Sequence, residues 1–164
     1  MGYSILREHI SIMVEFAVEH YTDKLIEELQ PLILSHYEEI AEDQDKIELN
    51  PDYEIYKGMD SNGLLNTITV RDDGKLVGYF VCVLHKNIHY KDHVFANNDI
   101  LFLDYKYRKS TVAYRLIQFA EKVLKDLGVS MIMINMKSKH MFDRLLTGLG
   151  YKEFEVTFRK YIGE

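Results

Sequence analysis

The apolar residues Ile10, Met13, Val14, Ala17 and Val18 recur at three- and four-residue intervals, which predicts a helix from about Glu8 to His20. Residues 3–7 read equally as a short edge strand or as the lead into that helix. Thr22 or Asp23 can cap a second helix with Leu25, Ile26 and Leu29 on one side; Pro31 is expected to break or kink it at Gln30. A further helical stretch from Leu32 to about Glu42 ends in the charged loop Asp43-Gln44-Asp45-Lys46. Asn50-Pro51 reads as a cap followed by proline at the first helical position, opening a short helix to about Met59 with Tyr53 and Tyr56 on one side.

The period then changes. Leu64 to Arg71 is rich in β-branched residues, Asp72-Asp73-Gly74-Lys75 has the composition of a hairpin turn, and Leu76 to Leu84 is the returning strand. That strand is apolar nearly throughout, which places it inside a sheet covered on both faces. His85 to Asn97 reads as a polar loop, Asn98 to Leu103 as the next strand and Thr111 to Leu127 as a helix. The buried stripe of that helix is Val112, Leu116, Phe119, Val123 and Leu127, and Gly128 stops it. Val129 to Met136 is a buried strand, reached by the right-handed crossover that a parallel pair requires. Phe142 to Leu149 is a short helix ended by Gly150, and Tyr151 to Tyr161 is one strand or a pair bent near Glu153. With no internal repeat or linker, residues 1–164 are expected to form a single α/β domain: a mixed sheet around a crossover helix, mainly helical before residue 61.

Composition narrows the class. At 164 residues and 47% apolar content the chain can build a real core, so disorder is not expected. No apolar run approaches the ~18 residues of a membrane span, and the start lacks a signal-peptide pattern. The single cysteine, Cys82, lies in an apolar run and reads as a core residue rather than a nucleophile. A disulfide-free cytoplasmic protein without a membrane partner is the expectation. Charge is divided: residues 1–60 hold 15 acids against 4 bases, and residues 61–164 hold 11 against 16. Such a division can separate a face for a cationic substrate from one for phosphate, or it can reflect Glu-rich surface helices. The acidic half argues against duplex nucleic acid as a partner.

The stretch from Asn98 to Gly128 carries the chemistry. A strand passes through a short polar turn into a helix whose start holds Arg108, Lys109, Ser110 and Thr111, an arrangement that aims free backbone N–H groups and a helix dipole at one point. This is an anion site, or a helix capped by Ser110 with solvated bases. His85, His89 and His93 repeat every four residues, but in a loop-like segment without a suitably placed glutamate, so no metal site is expected. Tyr53, Tyr56, Tyr79 and Tyr90 can line a pocket or serve as core with a hydroxyl at the surface.

Arg108-Lys109-Ser110-Thr111-Val112-Ala113 resembles the signature turn of the GCN5-related N-acetyltransferase (GNAT) superfamily: Gln or Arg, two residues, Gly, one residue, Gly or Ala. The first and last positions match, and Thr111 stands where the family has glycine. Leu103-Asp104-Tyr105-Lys106-Tyr107-Arg108, Leu116 to Glu121, Leu124 to Gly128, Leu145 to Tyr151 and Asp73 to Tyr79 are similar to neighbouring family segments. The resemblance covers about residues 47–161. His89-Tyr90-Lys91-Asp92 and Leu34 to Glu39 look like a subgroup found in tailed bacteriophages, which would make the location a host cytoplasm.

The resemblance implies a GNAT-like acyl-CoA N-acyltransferase fold and transfer of an acetyl group from acetyl-CoA, with no metal, to a primary amine: a lysine side chain, polyamine, aminoglycoside or similar acceptor. The acceptor would sit on the side of residues 1–60. The pyrophosphate would rest on the amides of Lys109, Ser110, Thr111, Val112 and Ala113 with charge from Arg108 and Lys109. The pantetheine arm would pair with main-chain groups of Leu101 and Leu103 and with the strand ending near Asn135. A main-chain N–H around Leu101 to Leu103 would stabilise the oxyanion. Asp99 is the implied base, acting through water, or else it caps the loop at a strand start; His89 and Asp92 are second candidates. The position of the usual proton-donating tyrosine holds Leu146, leaving Ser138 or solvent to protonate the thiolate. The contrasting expectation is a weak or inactive GNAT-fold protein that binds acyl-CoA or a protein partner. The terminal strand can also pair across a two-fold axis in a homodimer.

Overall fold

The computed structural model describes residues 13–163. The reading of residues 3–7, and of the helix over Glu8–Ile12, lies outside the described residues. From Glu15 the chain is strand rather than helix: β1 (Glu15–Val18) pairs antiparallel with β2 (Leu65–Asp72), from Glu15 opposite Arg71 to Val18 opposite Ile68. Four residues suit either period, and the free edge of β2 supplies the backbone partners that decide it. Phe16 stacks on Phe119 at 5.8 Å across the sheet face.

Helix α1 (Asp23–Ile40) starts at Thr22, whose hydroxyl accepts from the Leu25 amide at 3.3 Å. It runs through Pro31, contrary to the expected break. Leu25, Ile26, Leu29 and Ile33 are buried on both sides of the proline and hold the axis on the sheet. Pro31 itself faces solvent, where water can satisfy the carbonyl it frees. Helix α2 (Tyr53–Ser61) is capped by Asp52, not Asn50; the Asp52 carboxylate accepts from the Ile55 amide at 3.1 Å.

β2 returns into β3 (Lys75–Lys86) through Asp73 and Gly74, both with positive φ (48° and 77°), the two-residue turn whose twist suits a hairpin. Leu76 to Cys82 are buried without interruption, as expected of a central strand covered on both faces. β3 runs to Lys86 and β4 (Val94–Leu103) begins earlier than expected, so the intervening loop shrinks to residues 87–93. A short helix α3 (Tyr105–Arg108) precedes the crossover helix α4 (Val112–Asp126), which leads to β5 (Val129–Met133), parallel to β4. The sheet order is β1-β2-β3-β4-β5. α4 ends at Asp126, one residue short of Leu127, so that leucine is not part of its buried stripe and is exposed.

Helix α5 (Asp143–Gly148) is followed by a segment, 151–163, that is not a strand. Its alternation of Phe154, Val156 and Phe158 has the strand period, but a strand also needs an edge to pair with. Instead Arg159 binds Glu42 at 2.5 Å and Asp43 at 2.9 Å, holding the segment beside the loop after α1.

The sheet separates two apolar layers. On one side Ile68, Val70, Phe80 and Cys82 pack with Val112, Leu116, Ala120 and Leu124 of α4. On the other Leu65, Tyr79, Val81 and Phe102 pack with Leu25, Ile26, Leu29 and Ile33 of α1. Cys82 belongs to the first layer, and burial pushes its thiol pKa up to about 12, so it is not a nucleophile at neutral pH. No helix among the described residues is long and apolar enough to cross a membrane.

Gly78 lets β4 approach β3. A Cβ there would lie 2.9 Å from the Phe102 carbonyl oxygen and 2.8 Å from Leu103 Cδ1. The backbone oxygen cannot swing aside, so Gly78→Ala should lower stability by about 1–3 kcal/mol. Chemical denaturation should show the loss as a lower midpoint at an unchanged slope.

Candidate active site

In the ladder between β3 and β4, Val81 lies opposite Ile100 and Cys82 opposite Asn98. Asp99 is therefore the extra residue of a bulge, which re-aims a side chain that regular alternation would place elsewhere. Its carboxylate is exposed and accepts a 2.5 Å hydrogen bond from the Tyr56 hydroxyl of α2. Tyr56 stacks on Tyr21, with ring centroids 4.8 Å apart and 13° between planes. Burial first, then the bond to Asp99, pushes the Tyr56 pKa up, so its hydroxyl stays a neutral donor. Tyr21 and Tyr79 are raised too, mainly by burial, with Asp99 and Tyr53 among the nearby charges. The Tyr79 side chain is wholly buried, and its hydroxyl has no hydrogen-bond partner among the described residues.

Beside this cluster is a cavity of about 340 Å³, walled by α1, the loop after it and Ile100. Tyr37 fixes the loop to the helix through a 2.9 Å bond from its hydroxyl to the Ile47 carbonyl.

β4 and β5 are paired only from Val94 opposite Val129 to Asn97 opposite Met133. Beyond that point the ladder stops, and the side chain of Asn98 spans the gap. Its Oδ1 accepts from the Asn135 amide at 2.5 Å, and its Nδ2 donates to the Asn135 carbonyl at 3.4 Å. A side-chain amide here stands in for a rung of the ladder, so the divergence of the strands begins at Asn98. Leu101 and Leu103 line β4 beyond it; the Leu103 carbonyl accepts from Arg108 Nε at 2.6 Å.

At the start of α4, Ser110 Oγ accepts from the Val112 amide at 3.1 Å while donating to the Tyr107 carbonyl at 2.6 Å. Thr111 has ordinary right-handed helical geometry (φ −76°, ψ −1°), so this turn does not itself require glycine. The amides of Thr111, Ala113 and Tyr114 have no acceptor among the described residues, which leaves a group of N–H donors at the positive end of a 15-residue helix. Lys109 and Thr111 are exposed beside them, with Lys109 Nζ 5.6 Å from the Tyr105 ring. Arg108, expected at a phosphate, is turned to α1: its two terminal nitrogens bind Glu39 at 2.6 and 2.7 Å, and its guanidinium carbon lies 5.4 Å from the Phe102 ring. That partner holds the Glu39 carboxyl below its usual range.

The other predicted residues are not gathered at Asp99. His89 and Tyr90 lie in the loop before β4, and five residues of strand, about 17 Å, separate the first residue of that strand from Asp99. His85 and His93 turn to Asn97 and Ser130 respectively. Ser138 is exposed in the turn after β5, closed by the His140 amide on the Lys137 carbonyl. Leu146 is buried. Sequence reasoning did not find the Asn98 bridge or the Arg108–Glu39 pair. Two adjacent carboxamides facing a strand's open edge were the only local sign of the first, and 69 residues separate the partners of the second.

Comparison with known proteins places this geometry in a family. The model of the acetyltransferase (GNAT) family matches residues 26–146. No curated protein matches the sequence. An aminoglycoside acetyltransferase from an uncultured soil metagenomic sample, in complex with sisomicin, superposes with a TM-score of 0.71 at 13% identity, covering 92% of this chain and 97% of the other. Glucosamine-6-phosphate N-acetyltransferase from Arabidopsis thaliana gives 0.66 at 12%, covering 92% and 99%. A protein from Clostridium acetobutylicum described as a predicted acetyltransferase, with acetyl-CoA, gives 0.66 at 10%, covering 91% and 96%. At these identities the likeness is one of fold.

Proposed function

The chain belongs to the GNAT acetyltransferase family, and from that premise we propose that it transfers an acetyl group from acetyl-CoA to a primary amine in the cavity beside Asp99. The observation that carries the reading is the bulge at Asp99, which puts a solvent-reachable carboxylate between that cavity and the open end of the β4–β5 pair. The free amides of Thr111, Ala113 and Tyr114 fit the diphosphate, with Lys109 beside them and Ser110 fixing the turn. Arg108 orders the end of β4 through Glu39 and the Leu103 carbonyl instead of meeting phosphate. Main-chain groups from Leu101 to Leu103, and those near Asn135, receive the pantetheine arm once the Asn98 side chain releases Asn135.

Acetyl-CoA supplies an activated acyl thioester. Asp99 accepts the amine's proton, directly or through water, as the nitrogen bonds to the carbonyl carbon and becomes acidic. Being exposed, it passes that proton to solvent. A main-chain N–H of β4 between Leu101 and Leu103 stabilises the charge that develops on the carbonyl oxygen. The thiolate leaves and is protonated by water or through Ser138. His89 takes no part in this scheme.

A second reading, an acyl-CoA-binding protein without efficient turnover, is favoured by buried Leu146, which has no proton to give. Thermal melts with acetyl-CoA, run beside thiol release over an amine panel, separate the two. The transferase should be stabilised and should release thiol only when an amine is present. Stabilisation without thiol release from any amine would support the second reading, and neither effect would refute both.

A further inference from the structure

The segment after α5 has the period of a strand and no strand beside it. Phe154, Val156 and Phe158 alternate with Glu153, Glu155, Thr157 and Arg159. In an extended chain the three apolar side chains would share one face and the polar ones the other. The three are 79%, 70% and 92% exposed. No backbone hydrogen bond joins residues 152–160 to another element among the described residues. Arg159 anchors the segment to Glu42 and Asp43 through Nη2. An unpaired stretch of this kind is a template for another strand.

The residue order is symmetric about Val156. Phe154 and Phe158 lie two positions to either side of it, and Glu153 and Arg159 lie three. Two copies running antiparallel about an axis through Val156 therefore set Phe154 opposite the partner's Phe158, and Val156 opposite the partner's Val156, on one face. On the other face Glu153 meets the partner's Arg159, whose Nε and Nη1 are not used by Glu42 or Asp43. Aromatic pairs and opposite charges directly across a ladder stabilise it. A slip of one residue would put the two apolar rows on opposite faces, so the register is specified. Lys152 opposes the partner's Lys160 at each end, and that repulsion limits how far the ladder extends. The outer edge of β5 is also open among the described residues, but its sequence Val129–Met133 offers no charge to Glu153 or Arg159. Phenylalanines bury ~150–250 Å² each, so four of them, with two valines and the paired backbones, approach the roughly 1,200 Å² at which standard interfaces begin.

We infer that the chain forms a two-fold dimer in which residues 153–159 of both copies pair antiparallel about Val156. The pairing does not rest on acetyl transfer and is measured without substrate.

Sedimentation equilibrium at about 1–100 μM, where interfaces of this size associate, should show a monomer–dimer equilibrium. Val156→Asp sets two carboxylates against each other on the axis and should raise the dissociation constant about 100-fold or more. Val156 is exposed in the single chain, so the variant folds; a melt checks it. Cross-linking tests the register. Opposed Cβ atoms about 4.5–5.5 Å apart are close to disulfide reach, whereas Phe154 lies more than about 13 Å along the ladder from its own counterpart. Mild oxidation should link Val156→Cys into a covalent dimer and leave Phe154→Cys unlinked, with the buried Cys82 of the wild type as control. A wild type that stays monomeric through that range would overturn the dimer, whether its segment pairs with its own β5 or with nothing. So would a dimer that Val156→Asp does not weaken, or one in which Phe154→Cys links as fast as Val156→Cys.

Discussion

Asp99→Asn should lower kcat at pH 7 by about 100- to 1,000-fold while leaving the Kd for acetyl-CoA unchanged, because general-base assistance is worth that much and the proposed diphosphate site is at the start of α4. The substitution is nearly isosteric. The Asn side-chain oxygen still accepts from the Tyr56 hydroxyl, so the bulge and the Tyr21–Tyr56 stack should persist. Near neutral pH only about 0.04% of a free alkylamine is unprotonated, and the variant has nothing to receive the proton that the nitrogen sheds. Its deficit should therefore be greatest near pH 7 and shrink towards pH 10, where the free amine is abundant. Stopped-flow thiol release across that range measures both features. An Asp99→Asn enzyme with wild-type kcat at pH 7 would remove Asp99 from the chemistry.

Much of the fold around this site is readable in the sequence. The strand–turn–helix junction at residues 98–128 shows in the switch from a two- to a 3.6-residue period, and local propensity decides both halves. The central position of β3 shows in the same way, because burial on both faces demands an unbroken apolar run. What the chain could not announce depends on partners far away in sequence. Glu15 to Val18 fit a helix and a strand equally until the edge of β2 is present. Phe154, Val156 and Phe158 promise a strand, yet Arg159 ties that segment to Glu42 and Asp43. The bulge at Asp99 arises from register against β3, so the direction of its carboxylate could not be read from residues 98–100 alone. Arg108 is the sharpest case. Its place in the signature turn suggests phosphate, while the bidentate contact with Glu39 of α1 is set by tertiary packing.

Arg71→Ala should have the largest effect on stability of any surface substitution here. The guanidinium binds Glu19 at 2.7 and 2.9 Å, Glu28 at 3.1 and 2.7 Å and the Gly74 carbonyl at 2.9 Å, joining the segment after β1, helix α1 and the hairpin turn. The group is only 16% exposed, and its loss would leave two half-buried carboxylates facing each other. A cost of about 2 kcal/mol lies between the values for exposed and buried pairs, and it should lower Tm by about 4–8 °C. The hydrogen bonds from Arg71 hold both carboxyl pKa values below the ordinary 4.5. Depressed carboxylates contribute stability that is full above the unfolded-state pKa and is lost as pH falls through the folded-state value. The gap between wild type and variant should therefore be full at pH 7 and close below about pH 4.5. Equal melting temperatures at pH 7, or a gap that does not change on acidification, would refute the role. The same network holds the start of α1 and Tyr21 over Tyr56, so Arg71→Ala should also raise KM for the amine more than the Kd for acetyl-CoA. A purely global loss of stability would instead leave both constants of the folded fraction unchanged.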